Sequence, residues 1–298
     1  MPEDSTFFAD QATDRGESCL SEPQLVHSSE GGWTEIWRID KDGKFRVLKA
    51  LKPALRGQPR YESLLRKEYE IGYSLSHTAI REVYGMVFRQ DLGNCIEMEW
   101  IDGVPLDTFI TNGLPSQATA RKIVFQLCDA LAYLHSKQIV HRDVKPSNIL
   151  ITHNGSYVKL IDFGFSDADA WSIHKAPAGT ASFAAPELLQ GLPVDNRTDI
   201  WSLGKCIALL LPKEKRIIRR CTQPRKEERY RDVSEVRNAL MHRHRVWPFL
   251  LAAAAVAAAV FIFIRQRPAE KPESGITDVE AIDELFRQAT DLIDGNGQ

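Results

Sequence analysis

Residues 139–164 read IVHRDVKPSNILITHNGSYVKLIDFG. Two short apolar runs lie inside this stretch, Ile149–Thr152 and Tyr157–Ile161, separated by His153-Asn154-Gly155-Ser156. Asn-Gly between β-branched runs predicts a hairpin. Closing that hairpin brings its open ends together. Asn148, at the start of the first strand, and Asp162, at the end of the second, then become neighbours. A carboxamide and a carboxylate are hard oxygen ligands, suited to a Mg²⁺ that holds a nucleotide's phosphates. Asp143 lies just upstream in an irregular stretch broken by Pro146, positioned to act on a group brought near that metal. Read singly, Asp143 is a turn residue and Asn148 a strand-start cap; read together, they point to phosphoryl transfer.

His141-Arg142-Asp143 with Asn148 fits H-R-D-x-x-x-x-N, and Asp162-Phe163-Gly164 fits D-F-G. On these motifs the chain resembles the eukaryotic-like (Hanks-type) serine/threonine protein kinases, and its layout resembles their bacterial membrane-anchored members. The resemblance implies an α+β, bilobal protein-kinase fold with a small β-rich N-lobe and a mostly helical C-lobe. It also implies ATP and Mg²⁺ as cofactors and a protein hydroxyl as acceptor. The implied domains are a flexible N-terminal arm (1–24), the N-lobe (25–101) and the C-lobe (102–245). A transmembrane helix (247–264) and a linker with a short amphipathic tail helix (265–298) follow.

Composition agrees with one such unit plus extras. The chain has 298 residues, with 38 Lys and Arg against 40 Asp and Glu. A formal net charge of −2 gives no electrostatic case for nucleic acid. The five cysteines (Cys19, Cys95, Cys128, Cys206, Cys221) are scattered, with no metal-ligand spacing. Reduced thiols are the simple reading.

Taken in order, the family motifs recur with two departures. Ser29-Glu30-Gly31-Gly32-Trp33-Thr34-Glu35-Ile36 stands where the resemblance puts the phosphate-covering G-x-G-x-x-G-x-V loop. Of its three glycines only the middle one remains, as Gly31, with Ser29 and Thr34 at the outer positions and Ile36 at the valine. Glycines let backbone N–H groups approach phosphates, so this loop is stiffer than the pattern. Alone, the segment would pass as a simple turn. Phe45–Leu51 resembles the family's V-A-I-K strand and carries Lys49, the expected ligand of the α/β-phosphates. Residues 61–75 show helical periodicity, with Glu68 inside the apolar stripe and Glu70 on the polar side. A carboxylate aimed inward needs a partner; the resemblance supplies Lys49, and another core partner stays open. Cys95–Ile101 followed by Asp102-Gly103 resembles the hinge. There the backbones of Glu99 and Ile101 would meet adenine beside Met98, although an ordinary core strand ending in a turn reads the same way. Residues 117–136 make a strong amphipathic helix leading into the catalytic loop.

Further on, Gly179-Thr180, Ala185-Pro186-Glu187 and Asp199-Ile200-Trp201-Ser202-Leu203-Gly204 fit the activation segment, A-P-E and D-x-W-S-x-G, with Arg229 as the usual partner of Glu187. The second departure lies between Gly204 and Cys221. The interval is short, so the large lobe is expected to be trimmed there. By resemblance, Asp162 and Asn148 hold Mg²⁺, Asp143 orients the substrate hydroxyl, and Lys145 neutralises charge near the γ-phosphate. Lys145 with Thr180 resembles the serine/threonine branch. Arg142 suggests a phosphate on the activation segment, at Ser166, Ser172, Ser182 or Thr180.

Residues 247–264, WPFLLAAAAVAAAVFIFI, contain no charge. At 1.5 Å per residue they span roughly 27 Å, enough for a thin bilayer. A buried alanine-rich helix is the alternative. Arg243 and Arg245 precede the run, and Arg265 and Arg267 follow it. The expected topology is single-pass with the kinase lobes cytoplasmic. Residues 278–293 are apolar on one helical face, which allows self-association or another protein partner. Three functions compete: a membrane-anchored serine/threonine kinase, a pseudokinase-type membrane scaffold or regulatory binding protein, and a small-molecule or lipid kinase. The eroded loop motivates the second and the trimmed lobe the third. The intact set Lys49, Glu68, Asp143, Asn148 and Asp162 favours the first, as does A-P-E.

Overall fold

The structure is a computed structural model that describes residues 22–28, 32–164 and 182–266, together with 283 and 287. The chain divides into one unit that runs through His242 and a second that starts at Arg243.

The first unit begins with β1 (Gln24–Ser28), β2 (Thr34–Lys41), β3 (Lys44–Leu51), β4 (Val83–Arg89) and β5 (Gly93–Glu99), in the sheet order β1-β2-β3-β5-β4. The two-residue period of β3 splits its buried side chains between two cores. Val47 and Leu51 pack with Leu64 and Leu65, and Leu48 and Ala50 pack with Ile39, Leu92 and Cys95. Lys49 shares the parity of Val47 and Leu51, so it points to the face covered by α1 (Pro59–Tyr73). That helix starts two residues before the expected 61–75, because Pro59 is well suited to the first turn.

The helical lobe is built on β6 (Gly103–Pro105), α2 (Leu106–Thr111), α3 (Gln117–Ser136), β7 (Ile149–Thr152) and β8 (Val158–Leu160). Then come α4 (Pro186–Leu189), α5 (Asn196–Leu210), α6 (Lys215–Cys221) and α7 (Val233–Gln266). Ser116 caps α3, its hydroxyl accepting the Thr119 N–H at 3.1 Å. Leu127, Leu131 and Leu134 of α3 meet Ile200, Leu203 and Ile207 of α5 in one core with Ile149, Ile151 and Leu160.

The hairpin at Asn154-Gly155 forms, with β7 pairing β8 antiparallel. Its second strand is shorter than expected. Ser156 has φ 50° and Gly155 φ 80°, so the turn extends to the edge of Tyr157. Tyr157 stays exposed, with the Lys122 ammonium 3.9 Å from its ring centre. A third strand, β6, pairs with β7. Gly103 permits this: a Cβ there would lie 2.4 Å from the Ile151 carbonyl oxygen.

The trimmed interval takes a definite form. Residues 211–214 alone link α5 to α6, and a Cβ on Gly204 would fall 2.4 Å from the Cys221 Cβ. Gly204→Ala is expected to destabilise the lobe by about 1–3 kcal/mol through overpacking, read as a lower denaturant midpoint at unchanged slope. Cys95, Cys128, Cys206 and Cys221 are buried free thiols.

Of the expected membrane run 247–264, the described side chains are those of 254–262, all exposed, with Val256, Val260, Phe261 and Ile262 the large ones. Among the described residues no helix is long and apolar enough to cross a membrane. In the expected tail helix only Asp283 and Arg287 are described; both are helical and exposed.

Candidate active site

The small lobe brings two charges to one point. Lys49 Nζ lies 2.6 Å from Glu68 Oε1 and 2.9 Å from Asp162 Oδ1, with Lys49 and Glu68 buried. Burial disfavours the ammonium, but Asp162 and Glu68 outweigh it and raise the Lys49 pKa. Burial would also lift Asp162. Lys49, with the Gly164 N–H, instead holds that carboxyl well below the usual carboxylate range. At Glu68 burial wins over Lys49, and the pKa moves up.

The large lobe supplies a second cluster. Asp143 Oδ2 accepts from Lys145 Nζ and Asn148 Nδ2, each at 2.8 Å. The same amide also donates to the Asp143 carbonyl at 2.9 Å. Burial lifts the Asp143 carboxyl above its ordinary range, against Lys145. Its Oδ1 is buried with no hydrogen-bond partner among the described residues. The hairpin places Asn148 as expected, its carbonyl accepting the Ile161 N–H at 2.9 Å. Its side-chain amide, however, turns to Asp143 rather than to Asp162.

Two residues here hold left-handed backbone, Arg142 at φ 66° and Asp162 at φ 68°. Such non-glycine conformations persist only where the surroundings over-determine them. For Arg142 the constraint is Asp199, fully buried on α5. Its Oδ1 accepts the Arg142 N–H at 2.8 Å, and its Oδ2 the His141 N–H at 2.9 Å. His135 Nε2 lies 2.8 Å from the same Oδ2. Burial works against the Asp199 charge, and His135 leads the groups that hold its pKa down. Neither Asp199 nor His135 stood out in sequence as part of the site. The available signals were the D-x-W-S-x-G motif, which Asp199 opens, and an imidazole at the end of the amphipathic helix 117–136.

The remaining expected positions divide. Ile36 lies on β2 directly across from Lys49. Met98 is buried at the end of β5, Ile101 is buried just beyond, and Glu99 lies between them. The Glu99 N–H already donates to the Glu82 carbonyl at 2.9 Å, and its carboxylate meets Lys159 at 2.7 Å. An adenine would therefore meet Glu99 through its carbonyl. Ser29 and Gly31 fall outside the described residues, as do Ser166, Ser172, Gly179 and Thr180; Ser182 is described. Glu187 pairs with Arg229 as expected, in a fork of 2.7 and 2.8 Å, and Thr198 Oγ1 donates to Glu187 Oε1 at 2.9 Å.

The chain is similar to known proteins. The family described as "Protein kinase domain" matches residues 30–261. The chain is 35% identical over 190 residues to MAP kinase kinase MKK1/SSP32 of Saccharomyces cerevisiae, covering 61% of this chain and 37% of that protein. It is 34% identical over 204 residues to Serine/threonine-protein kinase PknB of Mycolicibacterium smegmatis, covering 62% and 31%. The match thus spans about a third of the length of these curated relatives. The PknI kinase domain of Mycobacterium tuberculosis superposes with a TM-score of 0.58 at 23% identity, covering 74% of this chain and 94% of that one. At that identity it bears on the fold alone. Since the family match takes in most of the chain, this protein belongs to the protein kinase family.

Proposed function

We propose that the chain is a serine/threonine protein kinase, anchored by residues 247–264 with its lobes in the cytoplasm. It transfers the γ-phosphoryl of Mg-ATP to a protein hydroxyl. The observation that carries this reading is Lys49 Nζ held between Glu68 and Asp162, a buried cation poised for a phosphate. The residues also fit the cofactor. Asp162 and Asn148 offer two hard oxygens, few enough for Mg²⁺ to keep phosphate and water ligands. Asp143 offers a buried carboxylate oxygen with no hydrogen-bond partner among the described residues. When bound, Mg-ATP supplies the electrophilic phosphorus and the leaving group. Lys49 then binds the α/β-phosphates, and Glu68 fixes Lys49. Asp143 orients the acceptor hydroxyl and takes its proton, while Lys145 offsets charge beside it.

Incubation of the full chain with Mg-ATP tests this. Autophosphorylation on serine or threonine is expected; its absence, with nucleotide binding retained, would favour the scaffold reading. Phosphate on lipid or small-molecule acceptors alone would favour the third reading. Lys49→Ala and Glu68→Ala should each cost about 10²-fold or more in rate. As one ion pair they should be strongly non-additive, and a double-mutant cycle measures this. Additive losses would remove Glu68 from its role.

The membrane reading is supported by the uncharged run 247–264, flanked by Arg245 and Arg265, and by the exposed apolar positions at 256 and 260–262. The small residues of the run also permit close helix approach and self-association. The chain is expected to resist carbonate extraction, with the tail protected from protease in sealed vesicles and the lobes digested. Release by carbonate would refute the anchor.

A further inference from the structure

The loop from α1 to β4 carries a cation to the back of the site. The Arg81 N–H donates to the Leu160 carbonyl at 3.0 Å, and Ile80 bridges Leu160. Arg81 is thereby fastened to the chain two residues before Asp162. Its side chain lines a small pocket with Glu68, Gly72, Met98, Asp162 and Phe163. Two of its lining residues carry opposite charge and an open atom each: Nε of Arg81 and Oε2 of Glu68. Both are shut off from solvent with no hydrogen-bond partner among the described residues. Buried polar atoms left unpaired are costly, so a nearby arrangement that pairs them is favoured.

Charge counting narrows the pairing. Glu68 and Asp162 are two carboxylates sharing the single ammonium of Lys49. The acidic groups that act on Arg81 are Asp162, Glu99 and Glu68. Glu99 Oε2 already takes Lys159 at 2.7 Å and the Glu82 N–H at 3.2 Å. Asp162 Oδ1 takes Lys49 and the Gly164 N–H. Among the described residues, Oε2 of Glu68 is the oxygen of these three carboxylates that is buried with no hydrogen-bond partner. Gly72 lies one turn beyond Glu68 on the same helical face. A Cβ there would fall 2.7 Å from Val83 Cγ2, so α1 rides close against β4.

We propose that Arg81 is a positioning residue for phosphoryl transfer, the second cation of Glu68. When Lys49 turns from Asp162 to a nucleotide phosphate, the Arg81 guanidinium takes Oε2 of Glu68 and keeps α1 against the sheet. The proposal rests on the reading of Lys49, Glu68 and Asp162 as the phosphate-side and metal-side groups.

The test uses the full chain with Mg-ADP and Mg-ATP, in wild type, Arg81→Met, Arg81→Lys and Glu68→Gln. Mg-ADP is expected to slow amide exchange across residues 59–73 in wild type and Arg81→Lys but not in Arg81→Met. Arg81→Met should lower kcat about tenfold with KM for ATP changed far less, and Arg81→Lys should recover most of it. In the Glu68→Gln background the Arg81→Met step should add little. Equal slowing of exchange in Arg81→Met, no slowing in wild type, or additive losses with Glu68→Gln would each overturn the proposal. Should Arg81→Met fail to fold, Arg81→Gln takes its place with the same expectations. A wild type without transfer, whose exchange still depends on Arg81, would overturn the kinase reading while supporting the Arg81–Glu68 contact.

Discussion

Asp162→Asn is expected to lower phosphoryl transfer by about 10³-fold or more, some 4 kcal/mol of transition-state stabilisation, while the protein melts within a few degrees of wild type. The substitution keeps the shape of the side chain and an oxygen for Lys49 and the Gly164 N–H. Asparagine also tolerates the left-handed backbone that position 162 adopts at φ 68°. What it removes is charge. Lys49 then faces one carboxylate instead of two, and the hairpin end loses the anionic oxygen opposite Asn148. Rates of ³²P incorporation beside a thermal melt separate the two effects. Wild-type turnover would sink the metal assignment; a collapsed melting transition would show that Asp162 is needed for folding.

The largest expected effect on stability lies away from the chemistry. Arg229→Ala should cost about 3–5 kcal/mol, because it leaves the buried Glu187 carboxylate without its fork. For a unit of this size that is a fall of about 10 °C in Tm, measurable by calorimetry. The guanidinium also donates to the carbonyls of Gln223, Pro224 and Arg197, so one side chain ties α4 to the loop before α7 and to α5. Glu187→Gln with Arg229→Met should recover part of the loss, since no buried charge is stranded. Burial acts to raise the Glu187 pKa, yet Arg229 and Thr198 carry it below its ordinary 4.5. The contribution of the pair is therefore full above about pH 4.5 and fades as acidification carries the pH down through the depressed value. Stability of the double variant should show less of that acid dependence.

The elements legible in the sequence were those with local causes. The Asn154-Gly155 turn fixed the hairpin, and the period of α1 put Glu68 inward among Leu64, Leu65 and Gly72. The parity of β3 then delivered Lys49 to the same face. What stayed illegible depends on long-range closure. Asp199 reaches the backbone of Arg142 across 57 positions, and no periodicity in either segment encodes that meeting. The extent of β8 was misjudged because Tyr157 is a good strand former. The turn's two positive-φ residues and the Lys122 ammonium hold it at the surface instead. Arg81 was not singled out in the sequence; its place beside Glu68 and Asp162 comes only once β8 and α1 are folded around it.

The buried thiols give each lobe a clock. Burial pushes Cys95 up to about 11, and Cys206 and Cys221 up to about 12, so none is a thiolate at neutral pH. A disulfide reagent can therefore reach them only through openings of the fold. Cys95 sits in the sheet, between β3 and β4, whereas Cys128, Cys206 and Cys221 belong to the helical core. Their separate modification rates, resolved by mass spectrometry, report how often each lobe opens. A ligand that clamps the small lobe would slow the Cys95 clock first.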